Sequence, residues 1–329
     1  MLTRRAVLVA AAASFGSNVI ALGPSRGLPA IERTARLLVG FPAGGTTDVI
    51  ARLLAGAMQD YAPAIVVENR PGRAGSIALE SLKAGARDGS VFLVAPMATM
   101  TLSPHVYKSL RFDPVGDFIP VTTVCAVSYV LTIGSQVDPA VTTFSDFVTW
   151  CRRSPGPVTF ASPGAGSPLH FIGVQLAHAT GFAYTHVPYQ GAAPALQDLL
   201  SGQVAWALLP IDTPLPYLQS GALRALATTG ARRSTGLSGV PTFRELGYPD
   251  LESVDWWGVF LPAGTPADIV ESLDQCVVNA VATRRVAAGL TALSVETEVI
   301  SQGNLARLMK AEYERWGAIV LESGFTLGD

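Results

Sequence analysis

Short, β-branched apolar runs alternate with amphipathic stretches along almost the whole chain, and this alternation restricts the fold more than any other feature. The runs 36–41, 65–68, 91–95, 121–124, 129–133, 158–161, 204–209, 223–228 and 257–261 read as strands. Helix-like segments begin near residues 46, 77, 143, 168, 192, 267 and 304. Strand and helix in regular alternation predict an α/β protein with largely parallel sheets. The 329 residues supply about two domains of roughly 100–200 residues each.

The junctions between these segments carry local signals. Thr143 with Asp146, and Thr242 with Glu245, form capping boxes that predict helix starts, the second helix being short and ended by Gly247. Ser167 followed by Pro168 predicts another start, with the proline in the first turn, where its missing N–H costs nothing. One pattern occurs twice: FPAGGTTDVIARL (41–53) aligns with LPAGTPADIVESL (261–273). Each reads as strand, Pro-Ala-Gly turn and helix start, with Asp48 or Asp268 at the equivalent place. The second copy has Pro266 at the helix start and reads as a plain cap. The first has Gly45, Thr46 and Thr47, which leave N–H donors and two hydroxyls free at the positive end of a helix dipole. If one of the two loops holds a ligand, it is the first.

Missing residues exclude several chemistries. No Gly-Lys pair exists for a phosphate loop, no GxGxxG follows the first strand, and GxSxG and HExxH are absent. His105, His170, His178 and His186 lack metal-ligand spacing; His170 and His178 fall about 80° apart around a helix. Cys125, Cys151 and Cys276 are too few for a disulfide framework and read as small buried apolar residues, with a Cys125–Cys151 bridge as the alternative. A net charge of −2 without a basic run gives nucleic acid no footprint. Apolar stretches inside the chain, such as 121–133, are too short to span a bilayer. No catalytic residue, metal or cofactor is expected.

What remains are uncharged Gly/Ser/Thr loops at strand-to-helix junctions, 42–47, 162–167 and 190–193, none with a Lys or Arg. Ligands of open α/β sheets bind beyond the carboxyl ends of strands, where such loops lie. Backbone N–H groups, hydroxyls and helix dipoles suit a carboxylate that must be bound and released. They do not suit a transferring phosphoryl group, which needs a metal or fixed cations. At the N-terminus, Arg4 and Arg5, the apolar segment 6–13 and the small residues 19–21 read as an export signal cut near residue 21, with Ala30 as a second candidate. The pair Arg4-Arg5 leaves both the Sec and the twin-arginine route open. The mature chain is expected to be soluble and periplasmic.

These motifs together resemble a known family. FPAGGTTDVIARLLA, VVENRPGRAGSIALES, RDGSVFLVAP, TFASPGAGSPLH, THVPYQGAAPALQDLLSGQV, GALRALATTGARR, GVPTFRELGYP and WWGVFLPAGTP follow the order of the Bug family of extracytoplasmic solute-binding proteins, the receptors of tripartite tricarboxylate transporters. The resemblance implies a two-domain periplasmic binding protein of the flytrap type with two crossing strands. One domain is discontinuous, 33–122 plus 226–329, and the other is 123–225, with the crossings near 121–130 and 223–228. It implies a small carboxylate as ligand, transporter membrane subunits as partners, and a monomer. A receptor for a signalling system is the alternative, and an organic-acid enzyme a more distant one.

The candidate ligand contacts are Phe41, Ala43, Gly44, Gly45, Thr46, Thr47 and Asp48 from the first loop, and Ser162, Ala165, Gly166, Ser167 and His170 from the second. Tyr189, Gly191 and Asp212 complete them. Several have a competing structural reading. Asp48 starts a helix four residues before Arg52 and would repel an anion, and Ser167 and the threonines can act as caps. Trp256 and Trp257 read as core before ligand stackers. Where the family often has Lys and Asn, this chain has Gln190 and Ser103, which changes the charge expected near the cleft.

Overall fold

The computed structural model describes residues 31–107, 109–293 and 295–325; the export-signal reading of 1–30 lies outside them. The first part runs β1 (Ala35–Val39), α1 (Thr46–Ala55), β2 (Ile65–Asn69), α2 (Ser76–Lys83), β3 (Val91–Pro96), α3 (Met97–Thr101) and α4 (Ser103–Val106). A 16-residue strand, β4 (Phe118–Ile133), follows. Then come α5 (Phe144–Arg153), β5 (Val158–Ser162), α6 (Pro168–Thr180), β6 (Tyr184–Pro188), α7 (Ala192–Leu200), β7 (Trp206–Pro210), α8 (Leu215–Gln219) and β8 (Arg224–Thr228). The chain ends with β9 (Val254–Pro262), α9 (Ala267–Ala282), α10 (Arg284–Ala292), β10 (Glu296–Thr297) and α11 (Gln302–Ser323).

β4 organises the sheet. Its residues up to Ser128 pair antiparallel with β9, while Tyr129 onward pairs with β7. β8 runs antiparallel along the same later half of β4. One strand thus serves two strand sets, β2-β1-β3-β9 before the switch and β7-β5-β6 after it. The chain returns at Thr229, whose N–H bonds Tyr129 O and whose carbonyl accepts from Ser253 N–H at the foot of β9.

The strands read as unbroken apolar runs because both of their faces are covered. Successive side chains point to opposite faces. Leu37, Val39, Phe92 and Val94 enter a core with α1, α9 and α10, whereas Leu38, Leu93 and Ala95 enter another with α2, α3 and α11. Truncating one of these leucines to Ala would cost about 2–5 kcal/mol. A third cluster packs α7 on Ala161, Ala207 and Leu209.

Several expectations change. The sheet is mixed rather than largely parallel: β1–β3 and β5–β7 are parallel, but β4, β8, β9 and β10 pair antiparallel. Runs 121–124 and 129–133 belong to one strand, since Cys125 to Ser128 keep the ladder with β9. Thr242 and Glu245 do form their reciprocal bonds, at 2.8 and 3.2 Å, but enclose only turns, because Gly247 and Pro249 stop propagation. The box at Thr143 caps α5 as expected. All three cysteines are free thiols, Cys125 and Cys151 buried.

Candidate functional site

Strand directions decide which loops face one another. β1 and β3 run antiparallel to β9, which runs antiparallel to β4, so their carboxyl ends point toward the second strand set. β5, β6 and β7 oppose β4, so their carboxyl ends point back toward the first. The loop after β1 and those after β5, β6 and β7 therefore lie at the junction, on opposite sides of the β4 switch. Of the fifteen candidate contacts, Ser162 ends β5 and each of the others sits in one of these loops or in the helix start that follows it.

The first loop is held from inside. Gly44 takes φ +83°, a left-handed conformation that favours glycine, and closes a turn from Gly45 N–H to Pro42 O. The twin loop repeats this: Gly264 has φ +83° and Thr265 N–H reaches Pro262 O. The carboxylates then differ. Asp268 accepts from the adjacent Ile269 N–H. Asp48 is 2% exposed and accepts from three donors around one carboxylate: Gly44 N–H at 2.9 Å and Arg52 Nε at 2.8 Å on Oδ2, and Asn69 Nδ2 at 2.9 Å on Oδ1. Asn69 also donates to Phe41 O at 3.0 Å, which ties the end of β2 to the loop. The Arg52 side chain, with the Gly44 and Asn69 donors, holds the Asp48 carboxyl down at about 2 against the opposing effect of burial.

Thr47 is buried and its Oγ1 accepts from Trp257 Nε1 at 3.0 Å. The indole comes from β9, so the strand set itself braces the helix start. Ala43, Gly44, Gly45 and Thr46 are exposed and Phe41 half-buried. Val49 N–H is the first to bond within α1, to Gly45 O, so the N–H groups of Thr46, Thr47 and Asp48 have no intrahelical partner.

The second loop is satisfied more fully. Ser167 caps α6, accepting from His170 N–H at 3.2 Å and donating to Gly164 O at 2.7 Å. Gly166 N–H donates to His170 Nδ1, which places the neutral ring's proton on Nε2. His170 stacks on His186 at 4.0 Å, and His186 Nε2 lies 2.8 Å from Ser162 Oγ. Burial pushes both histidines down to about 4, so neither supplies a cation at neutral pH. Phe325, just past α11, packs edge-on to His170 at 5.2 Å, and Gly166 leaves room for its ring. Ala165 is exposed. Tyr189 N–H and Gly191 N–H bond the carbonyls of Ser162 and Pro163, which joins the turn after β6 to this loop. The Tyr189 hydroxyl donates to Asp198 Oδ2 at 2.6 Å. Asp212, after β7, is half-buried, and desolvation raises its carboxyl.

The topology thus brings all four loops to the junction, while no hydrogen bond joins the 41–48 loop to the 162–170 loop among the described residues. Sequence reasoning missed Asn69, Trp257 as a hydrogen-bond donor, His186 and Phe325. The pattern ENRPG at the end of a strand was a signal for Asn69; nothing in the sequence linked Phe325 to His170.

A mixed α/β fold whose two strand sets share one strand, with uncharged helix-start loops opposed across the switch, is that of a periplasmic binding protein: a solute receptor. The chain belongs to the tripartite tricarboxylate transporter receptor family (TctC), whose model matches residues 50–325. It is 32% identical to protein BugT of Bordetella pertussis over 297 residues, covering 90% of each chain. Two solved structures from Rhodopseudomonas palustris are similar. Rpa4515 with adipate shares 31% identity at a TM-score of 0.72, covering 90% of this chain and 99% of that one. MatC (Rpa3494) with bound malate shares 29% at 0.69, covering 88% and 99%.

Proposed function

We propose that this protein is an exported, periplasmic receptor that captures a small carboxylate between its two strand sets and delivers it to the membrane subunits of a tripartite transporter. The observation that carries this reading is the pairing of two helix starts, α1 and α6, across the β4 switch with no free cation in either loop. Thr46, Thr47 and Asp48 N–H groups, the Thr46 hydroxyl and the neutral His170 Nε2–H are donors a carboxylate can use. Such a site binds an anion and releases it again, as transport requires. That relatives of this family are solved with adipate and with malate supports the choice of ligand class.

In this reading the domains are 33–122 plus 226–329 and 123–225, and ligand shifts them from open to closed. Gly44, Gly45, Thr46 and Thr47 are the first-loop contacts; Asp48 orders that loop from behind. Ala165, Gly166 and His170 contribute from the second loop, with Tyr189, Gly191 and Asp212 around them. The protein is a receptor and not a hydrolase: the Ser162 hydroxyl beside His186 is fully buried and already bonded to Gly164 O at 3.1 Å. Export rests on Arg4, Arg5 and the apolar segment after them. Among the described residues no helix is long and apolar enough to cross a membrane.

The test is a melting screen against dicarboxylates, tricarboxylates, acidic amino acids and aromatic acids, followed by calorimetry. A ligand at about 100 times its Kd adds about 2.7 kcal/mol of stability. Replacing Thr46 with Val should weaken binding of the hit without lowering the melting temperature of the free protein. If only sugars or cations shift melting, or if the purified protein converts the hit, the proposal fails.

A further inference from the structure

A cavity of about 780 Å³ opens at the β4 switch, and none of the loop residues discussed above lines it. Its walls are β4 at 126–128, Ile211 just after β7, the segment 230–235 after β8, the foot of β9, the segment 296–300 and one side of α11. Part of this wall is apolar, with Trp256, Ile300 and Leu308.

The charged groups around it do not balance. Arg315 lines the cavity beside Glu312; it donates to Glu252 O at 2.9 Å and Asp250 O at 2.6 Å, and its charge remains. Arg233 pairs with Glu245, and Glu252 pairs with Arg244. That leaves three acids, Glu296, Glu298 and Glu312, facing two cations, Arg232 and Arg315. Glu312, from α11, is the decisive one. Only 9% of it is exposed, it lines the cavity, and among the described residues one of its oxygens is used, Oε2 accepting from Trp256 Nε1 at 3.0 Å. On β9, Asp255, whose charge acts on Glu312, has a buried Oδ1 with no partner among the described residues; its neighbours are the Tyr129 side chain from β4 and the Met97 backbone from α3.

Desolvation raises the carboxyls on this side. Glu312 is pushed up to about 7, with Trp256 and Arg315 opposing and Asp255 adding to the rise. Glu298 is raised by burial and by Glu296, against Arg232. In each, burial outweighs the nearby guanidinium, so a further cation would favour the ionised form. A bare metal ion is a poor match, because no group of three or more potential ligands converges among the described residues. A protonated amine or amidine on an apolar body matches both the acids and the apolar wall.

We propose that this cavity is a second binding site, for a small organic cation with an apolar body, whose ammonium or amidinium head lies between Glu312 and Glu298. None of the candidate carboxylate contacts lines this site, and it does not depend on their assignment. It lies where the chain passes between strand sets, so an occupant touches the segments that domain closure would move.

Full-length mature protein is tested with benzamidine and phenethylamine, and with benzyl alcohol as a neutral analogue of the same body. The two cations should raise the melting temperature and the alcohol should not. Glu312→Gln should weaken cation binding about tenfold, the equivalent of about 1.4 kcal/mol. Glu298→Gln, on a half-exposed residue, tests the same point should the first variant fail to fold. Because a cation favours the ionised Glu312, calorimetry near pH 6 in buffers of different ionisation enthalpy should show proton release on binding. Thr46→Val should leave the cation response intact, which separates failure here from failure of the carboxylate reading. No shift with either cation at millimolar concentration, an equal shift with the alcohol, or a response unchanged in both Glu variants overturns the proposal.

Discussion

Replacing Asp48 with Asn separates two roles that one carboxylate at a binding loop can play. The side chain keeps its shape but trades an acceptor for a donor. Whichever way the amide turns, its Nδ2 faces a donor: Gly44 N–H and Arg52 Nε on one side, Asn69 Nδ2 on the other. The native carboxyl falls from 3.8 to about 2, so its ionised form is favoured in the fold. At about 1.36 kcal/mol per unit, that is roughly 2.5 kcal/mol of stability at neutral pH. Arg52 is 54% exposed, so solvent screening reduces its share, and about 1.5–2 kcal/mol is expected. A carboxyl with a lowered pKa stabilises above its unfolded value and loses that contribution as pH falls through the folded one. The gap between wild type and Asp48→Asn in urea unfolding should therefore be full at pH 6 and close between about pH 4 and 2. Carboxylate affinity should fall as well, because Gly44 is no longer fixed. A variant as stable as wild type at pH 6, yet altered in ligand affinity, would show Asp48 touching ligand directly and refute its role as the loop's internal tie.

Three further outcomes follow from the same geometry. Asp255→Asn should act in the opposite pH direction: burial raises this carboxyl from 3.8 to about 7, so its contribution is complete below about pH 4 and is lost as pH rises through 7. The variant, scanned by calorimetry, should gain on wild type from pH 5 to 8, by at most about 2.7 kcal/mol. Gly44→Ala and Gly264→Ala both force Ala to φ +83° and should each cost about 1 kcal/mol by chemical unfolding, but only Gly44→Ala should weaken the carboxylate hit in a binding titration. Trp257→Phe removes the N–H that reaches Thr47 Oγ1 and should cost about 1 kcal/mol, with faster hydrogen exchange at the start of α1.

Local interactions were legible in the sequence and long-range ones were not. The cap at Ser167, the box at Thr143 and the twinned Pro-Ala-Gly turns each close within a few residues, and each forms as the pattern predicts. The pairing of Asp48 with Arg52 spans one helical turn and was visible too. Asn69, 21 positions on from Asp48, reaches it only because β1 and β2 lie side by side in parallel. Strand direction was illegible for a related reason. β3, β4 and β9 are covered on both faces, so parallel and antiparallel strands alike appear as continuous apolar runs. The direction of β4 matters most, because it sets both groups of loops at one junction. Asp255 marks where sequence offers a weaker clue of another kind: an acid inside a run that continues Trp-Trp-Gly-Val-Phe has no local donor to satisfy it. Its partners, Tyr129 and Met97, come from two other elements, and among the described residues they leave Oδ1 unpartnered. A carboxylate set into an apolar strand is thus a sign that the surrounding fold, not the strand, determines its protonation.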